Sequence, residues 1–209
     1  MFTGIVKGIG KVAQVKTAPG LTSFAVAMDP PLLEGLQQGA SVAIDGVCLT
    51  VVNFDAKQVW FDAIAETLNR THFNTLKEGQ LVNVERSARF GDEIGGHILS
   101  GHIFGTVTVT AIERTPNNCA VTFQCPIDWT KYLFPKGYIA LNGASLTVVD
   151  VNKTEGQFSV HLIPETLLRS TFGKIKVGDR INLEFDSQTQ TLVDSIKDSI
   201  ESYANRSTN

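Results

Sequence analysis

The stretch VAIDGVCLTVV occupies residues 42–52, and the similar stretch IALNGASLTVV occupies residues 139–149. Each contains two short β-rich runs, which are separated by Asp45-Gly46 in the first copy and by Asn142-Gly143 in the second. Asp-Gly and Asn-Gly are strong hairpin signals, because a type I′ turn requires positive φ at both turn residues. The sequence therefore predicts the same β-hairpin twice, at an offset of 97 residues.

Other stretches repeat in the same order along the chain. FTGIVKGIGKV at 2–12 matches LSGHIFGTVTV at 99–109, AETLNRT at 65–71 matches PETLLRS at 164–170, and LKEGQLVNVE at 76–85 matches IKVGDRINLE at 175–184. The offset rises from 97 to 99 after the hairpins, so we expect two inserted residues near NKTEG at 152–156. A period of this length indicates a duplicated domain. We predict domains at 1–97 and 98–187, followed by a tail at 188–209.

Each half is typical of an all-β domain. Beyond the hairpins, β-rich runs predict strands at 58–62, 81–85, 107–112, 120–125, 157–162 and 180–185, and the opening MFTGIVKGIGKV also resembles a strand. Short helices are predicted at ETLNRT and ETLLRS. About six strands in each half favour a small barrel, since closure removes exposed sheet edges. The expected architecture is two tandem, similar six-stranded Greek-key barrels with short helices, plus a C-terminal amphipathic helix.

The tail has no counterpart in the repeat. Leu192, Ile196, Ile200 and Tyr203 recur at helical spacing, with polar residues between them. This apolar stripe could pack on its own barrel or against the same helix in neighbouring subunits. We favour the second interpretation, because both barrels should be complete without the helix.

The composition limits the functional class. The 209 residues are 43% hydrophobic and 19% charged and carry a net charge of -3, without the basic stripe that nucleic-acid binding usually requires. No apolar run reaches the roughly 18 residues that indicate a membrane span, and the first residues lack a signal-peptide pattern. The three cysteines are an odd number without metal-type spacing. We therefore expect a reduced, cytoplasmic protein with no disulfide and no metal.

Small polar residues follow each predicted hairpin turn. Side chains alternate across a strand, so Cys48 and Thr50 share one face while the leucine and valine beside them share the other. Ser145 and Thr147 repeat this pattern. In isolation, threonine is a good strand former and cysteine a small buried residue. The match between Cys48 and Ser145 instead favours a cleft, because both side chains can donate a hydrogen bond or attack an electrophile.

Two further pairs differ between the copies. His102 stands where the first copy has Ile5, and His161 stands where it has Asp62. His102 could act near neutral pH or hold a ligand, or it could be a satisfied structural histidine. His97 and His102 are five residues apart, which is not convincing metal spacing. The start of each short helix could hold polar ligand groups, or it could be an ordinary start with a favourable glutamate.

These residues predict two similar barrels, each with a small polar cleft and with different groups at equivalent points. Such a protein could bind two copies of one ligand and treat them differently. It could also be a binding protein in which one cleft has drifted. The residue patterns do not name the ligand.

A resemblance adds a function. MFTGIV, the paired DGVCLTVV and NGASLTVV, ETLNRT, HLIPETL and GGHILSGH together closely resemble the riboflavin synthase alpha-chain family over essentially both barrels. The resemblance implies dismutation of two 6,7-dimethyl-8-ribityllumazine molecules into riboflavin and 5-amino-6-ribitylamino-pyrimidinedione, without a metal or organic cofactor. It also implies a homotrimer held by the C-terminal helices, in which the N-terminal barrel of one subunit faces the C-terminal barrel of another. Association with a lumazine synthase is left open.

The resemblance also implies site residues. In the first barrel the implied substrate contacts are Gly4, Ile5, Val6, Cys48, Leu49, Thr50, Asp62, Ala63, Ile64, Ala65, Glu66 and Thr67. In the second they are Gly101, His102, Ile103, Lys136, Ser145, Leu146, Thr147, His161, Leu162, Ile163, Pro164, Glu165 and Thr166. The implied catalytic residues are Cys48, His102, Ser145, Thr147 and Asp186, with base and nucleophile unassigned. Non-catalytic fluorescent proteins that bind lumazine or flavin share this repeat, but the intact GHI, NGASLT and HLIPET favour the enzyme.

Overall fold

The chain forms two closed barrels of antiparallel strands and a C-terminal helix, and its computed structural model describes residues 1–207. The first barrel consists of β1 (Gly8–Ala18), β2 (Leu21–Ala27), β3 (Ser41–Ile44), β4 (Val47–Phe54), β5 (Gln58–Ile64) and β6 (Leu81–Arg86). The second consists of β7 (Gly105–Thr115), β8 (Asn118–Gln124), β9 (Tyr138–Leu141), β10 (Ala144–Asn152), β11 (Gln157–Leu162) and β12 (Arg180–Phe185). The helices are α1 (Pro30–Leu33), α2 (Ala65–Arg70), α3 (Pro164–Arg169) and α4 (Ser187–Ser207), with 3₁₀ turns at His72–Thr75, Ile127–Tyr132 and Thr171–Lys174.

Both barrels have the same strand order. The first runs β1-β2-β5-β4-β3-β6, and the second runs β7-β8-β11-β10-β9-β12, each closing on itself. Alternating residues of the duplicated hairpins fill the two cores: Leu49 and Val51 are buried in one, and Leu146 and Val148 in the other. The predicted pair of six-stranded barrels is confirmed.

The hairpin turns have the predicted type I′ character. Asp45 and Asn142 have φ of 43° and 42°, and the glycines after them have φ of 80° and 77°. The two extra residues are also where we expected them, because β10 is one residue longer than β4 and the turn after it is one residue longer. The opening segment is a correction, since regular strand begins only at Gly8 and Phe2 makes an isolated bridge to Leu99. Strand β2 was not predicted from the sequence.

The two hairpin turns meet at the contact between the barrels. A Cβ added to Gly143 would lie 2.8 Å from the Gly46 backbone. Buried asparagines cross this contact: Asn83 donates to the Asn142 carbonyl at 2.9 Å, and Asn182 donates to the Asp45 carbonyl at 2.9 Å. The repeat therefore fixes how the barrels are joined as well as how each one folds.

Gly143→Ala should lower the free energy of unfolding by more than about 2 kcal/mol. The left-handed conformation alone costs an alanine about 1–2 kcal/mol, and the new methyl group would collide with the opposing turn. Chemical denaturation measures the loss. Gly79→Ala is the control, because Gly79 has φ of 84° and open space around the added Cβ. Equal losses in the two variants would mean that the contact between turns contributes nothing.

One side of helix α4 packs on the second barrel, and the opposite side is exposed. Val193 packs against the core of the second barrel, and the Tyr132 hydroxyl donates to Asp194 at 2.6 Å. Among the helix residues whose burial is described, the exposed large apolar ones are Leu192, Ile196, Ile200 and Tyr203. The predicted stripe therefore faces away from the barrel of its own chain. None of the helices that the structure describes is long and apolar enough to span a membrane.

Candidate active site

A short segment precedes each barrel, residues 2–7 before the first and residues 99–104 before the second, and each of these crossing segments contacts the other barrel. The Ser145 backbone N–H donates to the Gly4 carbonyl at 2.8 Å, and the Cys48 N–H donates to the Gly101 carbonyl at 2.9 Å. This corrects the grouping that the resemblance implied. Gly4, Ile5 and Val6 line the site of the second barrel, and Gly101, His102 and Ile103 line the site of the first.

Both crossings require glycine. Gly4 and Gly101 have φ of 75° and 80°. A Cβ on Gly101 would lie 2.5 Å from the Cys48 Cβ, and a Cβ on Gly4 would lie 2.5 Å from the Ser145 Cβ. The main chain of each crossing segment therefore rests directly on the residue that differs between the two hairpins.

Two similar clefts result, each made by one barrel and one crossing segment. The Cys48 cleft has a volume of about 440 Å³ and is lined by Val47, Cys48, Glu66, Thr67, Arg70, Thr71, Gly101, His102, Ile103, Phe104 and Gln190. The Ser145 cleft has a volume of about 400 Å³ and is lined by Gly4, Ile5, Val6, Lys7, Ala144, Ser145, Ile163, Glu165, Thr166, Arg169 and Ser170. Both volumes lie in the range of small-molecule sites.

An arginine that sequence reasoning missed lies at each cleft. Arg70 pairs with Glu66 at 2.9 Å, and Arg169 pairs with Glu165 at 2.8 Å. These exposed pairs contribute little to stability, but they bring a cationic group to the cleft at the same point of each copy. The signal was present in the sequence, since both ETLNR and ETLLR end in arginine.

His97 is a further residue to which the sequence assigned no role. Its Nδ1 lies 2.7 Å from the Ser145 Oγ, and its ring stacks on Tyr138 with centroids 5.0 Å apart. Burial lowers the pKa of His97, although the charge of Asp186 opposes the shift. A neutral imidazole can accept the hydroxyl proton. In the residues that the structure describes, no histidine nitrogen bonds the Cys48 thiol, so this pairing distinguishes the two clefts.

The imidazole of His97 is expected to titrate below its ordinary pKa of about 6.5. The ring then stays neutral at neutral pH and loses its acceptor nitrogen only in more acidic solution. Because the unfolded chain would bind this proton more readily, the histidine lowers stability as the pH falls through that range. An NMR titration of the ring resonances measures the pKa. Ser145→Ala should leave it low, since burial is the main cause; a value above 6.5 would contradict the prediction.

Comparison with known proteins assigns the family. The lumazine binding domain matches residues 3–87 and again residues 100–186. The riboflavin synthase of Escherichia coli (strain K12) is 46% identical over 198 residues, covering 94% of this chain and 92% of that protein. The chain belongs to the riboflavin synthase family. The riboflavin synthase of Chlamydia pneumoniae is 40% identical over 197 residues, covering 94% and 96% of the two chains.

Solved structures agree with the riboflavin synthase fold. LumP complexed with riboflavin superposes with a TM-score of 0.83 at 25% identity, covering 90% of this chain and 100% of LumP. LumP complexed with 6,7-dimethyl-8-(1'-D-ribityl) lumazine has a TM-score of 0.81 at 24% identity. LumP therefore has this duplicated-barrel fold and binds both compounds.

Several residues implied by the riboflavin synthase resemblance lie outside the clefts. The side chains of Leu49, Ala63, Leu146 and Leu162 are buried in the barrel cores, so their implied substrate contacts stay predictions that could be made only by the main chain. Thr50, Thr147, Ile64, Ala65 and Pro164 are exposed beside the clefts without lining them. The Asp62 carboxylate accepts a hydrogen bond from the Ser23 hydroxyl. The Nδ1 atom of His161 lies 3.3 Å from the Nδ2 atom of Asn118. Lys136 is exposed and has a left-handed backbone conformation.

Asp186 has a structural partner that the sequence did not suggest. Its carboxylate accepts hydrogen bonds from the Thr189 backbone N–H at 2.9 Å and from the Thr189 hydroxyl at 2.6 Å. Asp186 therefore caps the N-terminus of α4. Its influence on the pKa of His97 still connects it electrostatically to the Ser145 cleft.

Proposed function

We propose that this chain catalyses the riboflavin synthase reaction, in which one 6,7-dimethyl-8-ribityllumazine donates a four-carbon unit to another. The products are riboflavin and 5-amino-6-ribitylamino-pyrimidinedione. The observation that carries the proposal is the duplicated cleft with Cys48 in one copy and Ser145 in the other. Two identical substrates must take unequal roles in a dismutation, and the two clefts offer similar shapes with unequal chemistry.

We assign the chemical groups by cleft. The reaction needs a base for the C7 methyl proton of one substrate and a nucleophile for C7 of the other. In the Ser145 cleft, neutral His97 accepts the hydroxyl proton and makes Ser145 the better nucleophile. In the Cys48 cleft, His102 and Cys48 are the groups able to move a proton, and Arg70 and Thr67 bind polar substrate groups. No metal enters this scheme.

Within the described part of the chain, the two clefts share no lining residue. Ring-to-ring transfer requires the two substrates to lie against each other, so we propose that the Cys48 cleft of one subunit faces the Ser145 cleft of another. Exposed Leu192, Ile196 and Ile200 on α4 support a subunit contact. The proposed assembly is the homotrimer, and association with a lumazine synthase stays a prediction.

The function is tested by incubating the purified chain with 6,7-dimethyl-8-ribityllumazine alone and following riboflavin by absorbance. Steady formation of riboflavin supports the enzyme. Tight binding with strong lumazine fluorescence and no riboflavin would support a chromophore-binding protein of the LumP kind instead. Near-normal turnover in each of Cys48→Ala, His102→Ala and Ser145→Ala would refute the residue roles while leaving the reaction itself intact.

We expect Ile196→Glu to convert the trimer into monomers with little riboflavin formation. Ile196 is 51% exposed, so the substitution removes apolar surface from the proposed contact without disturbing a barrel core. Light scattering measures the mass and absorbance measures the turnover. Ser195→Glu, one residue before Ile196 on the same helix, adds the same single charge at an exposed position and serves as the control. A variant that stays trimeric would exclude this face as the contact.

A further inference from the structure

A buried carboxylate holds the segment that crosses to the Cys48 cleft. Glu184, near the end of β12, accepts hydrogen bonds through Oε1 from the Ser100 backbone N–H and the Ser100 hydroxyl, both at 2.7 Å. Its Oε2 accepts from the Gly101 N–H at 3.1 Å. The glutamate is 5% exposed, and burial raises its pKa while these hydrogen bonds oppose the shift. A buried charge persists only where its partners satisfy it.

Glu85, near the end of β6, repeats every one of these bonds in the first copy. Its Oε1 accepts from the Thr3 backbone N–H and hydroxyl, both at 2.7 Å, and its Oε2 accepts from the Gly4 N–H at 3.1 Å. Glu85 is 4% exposed. A coincidence of local packing would not reproduce three bonds with the same geometry in both copies, so the arrangement belongs to the repeat.

Each held segment connects directly to a cleft. Ser100 Oγ also accepts a hydrogen bond from the His102 N–H at 3.0 Å. The carbonyl of Gly101 accepts the N–H of Cys48 at 2.9 Å. Glu184 is therefore linked through one residue to both groups that could move a proton in that cleft. The equivalent path from Glu85 runs through Gly4 to the N–H of Ser145 at 2.8 Å.

We propose that Glu184 and Glu85 are positioning residues of the reaction, each on the last strand of its own barrel and each holding the segment that completes the other barrel's cleft. Charged acceptors form stronger hydrogen bonds than neutral ones, and a segment fixed in this way keeps its cleft in one geometry before substrate arrives. The catalytic meaning rests on the proposed function; the mechanical coupling does not. Glu184 thus serves the Cys48 cleft, and Glu85 serves the Ser145 cleft.

The thiol of Cys48 reports on this coupling without any substrate. Cys48 is half-buried beneath Gly101, whereas Cys119 and Cys125 are 1% and 3% exposed. Burial, assisted by Asp128, raises the pKa of Cys125 to about 11, which further suppresses its reaction. Glu184→Gln should speed iodoacetamide labelling of Cys48 roughly tenfold, because the closed segment loses a charge-assisted hydrogen bond and therefore opens more often. Glu85→Gln should leave the rate unchanged.

The reciprocal experiment uses the Ser145→Cys chain, in which the introduced thiol lies beneath Gly4. There Glu85→Gln should speed labelling of that thiol, and Glu184→Gln should not. The chain also supplies a conservative variant, since the first copy uses Thr3 where the second has Ser100. Ser100→Thr should keep Cys48 labelling slow, while Ser100→Ala should speed it.

The proposal would be overturned by Cys48 labelling at the unaltered rate in Glu184→Gln, or by equal acceleration in Glu184→Gln and Glu85→Gln. Labelling of the buried Cys119 and Cys125 together with Cys48 would show general unfolding and would equally overturn it. In turnover assays, kcat should fall in Glu184→Gln at a temperature where thermal denaturation shows the variant fully folded. If the unaltered chain makes no riboflavin, selective labelling still establishes the coupling, and only the proposed function fails.

Discussion

Gly101→Ala is expected to lower kcat/KM for riboflavin formation by at least about 100-fold, the loss that a displacement of about 1 Å in an active site can cause. The added Cβ would lie 2.5 Å from the Cys48 Cβ, 2.9 Å from its backbone nitrogen and 3.0 Å from the Phe2 ring. None of these neighbours is the far end of a flexible side chain. The crossing segment must therefore move, and His102 moves with it.

The loss of activity in Gly101→Ala should be larger than any loss of folded protein can explain. Steady-state kinetics measures the activity, and thermal denaturation shows whether the variant is folded under the assay conditions. Gly79→Ala again supplies the control, because it adds the same strain at φ of 84° without a neighbour. Gly4→Ala should reproduce the loss through the Ser145 cleft. Near-normal kcat/KM in a folded Gly101→Ala chain would mean that the crossing segment does not shape the site.

Much of the fold could be read from the sequence because its signals are local and occur twice. The turn pairs Asp45-Gly46 and Asn142-Gly143 fix the hairpins, and alternation assigns Leu49 and Leu146 to the cores. The amphipathic tail also depends only on spacing. Duplication doubled each of these signals, so a pattern that is ambiguous in one copy became firm in both.

The crossing segments could not be read in the same way. They pair with the opposite barrel through isolated bonds such as Ser145 N–H to the Gly4 carbonyl, and such long-range contacts leave no periodicity in the sequence. The resemblance was carried over within each half of the chain, and this placed each segment in the cleft of its own barrel. The inward role of Glu85 and Glu184 was hidden for a related reason: a charged residue near the end of a strand usually faces solvent.

The contact between His97 and Ser145 was not predicted for a third reason. It follows two glycines in IGGHILSGH, outside the predicted strands, and a lone histidine there is compatible with many roles. Only the fold brings its Nδ1 to 2.7 Å from Ser145. The parts of the site that differ between the copies were visible as substitutions, whereas the parts that position them depended on tertiary structure.

Phe2→Ala should abolish most of the activity, because Phe2 connects both crossing segments. Its backbone N–H donates to the Leu99 carbonyl at 2.9 Å, and the Leu99 N–H donates back at 3.0 Å. Its ring, 2% exposed, packs with Leu99, Ala43 and Ala140 in a small cluster between the barrels. Truncation to alanine would leave a cavity at the point where the two segments are fixed to each other.

The matched variant Phe24→Ala separates activity from stability. Phe24 is 1% exposed in the core of the first barrel, so both substitutions should cost about 3–5 kcal/mol of folding free energy. Only Phe2→Ala releases the segments that carry Gly4 and Gly101 onto the clefts. At a temperature where both variants are folded, Phe2→Ala should therefore lose far more turnover than Phe24→Ala. Equal turnover in the two would show that Phe2 contributes packing energy alone, and that the crossing segments are held without it.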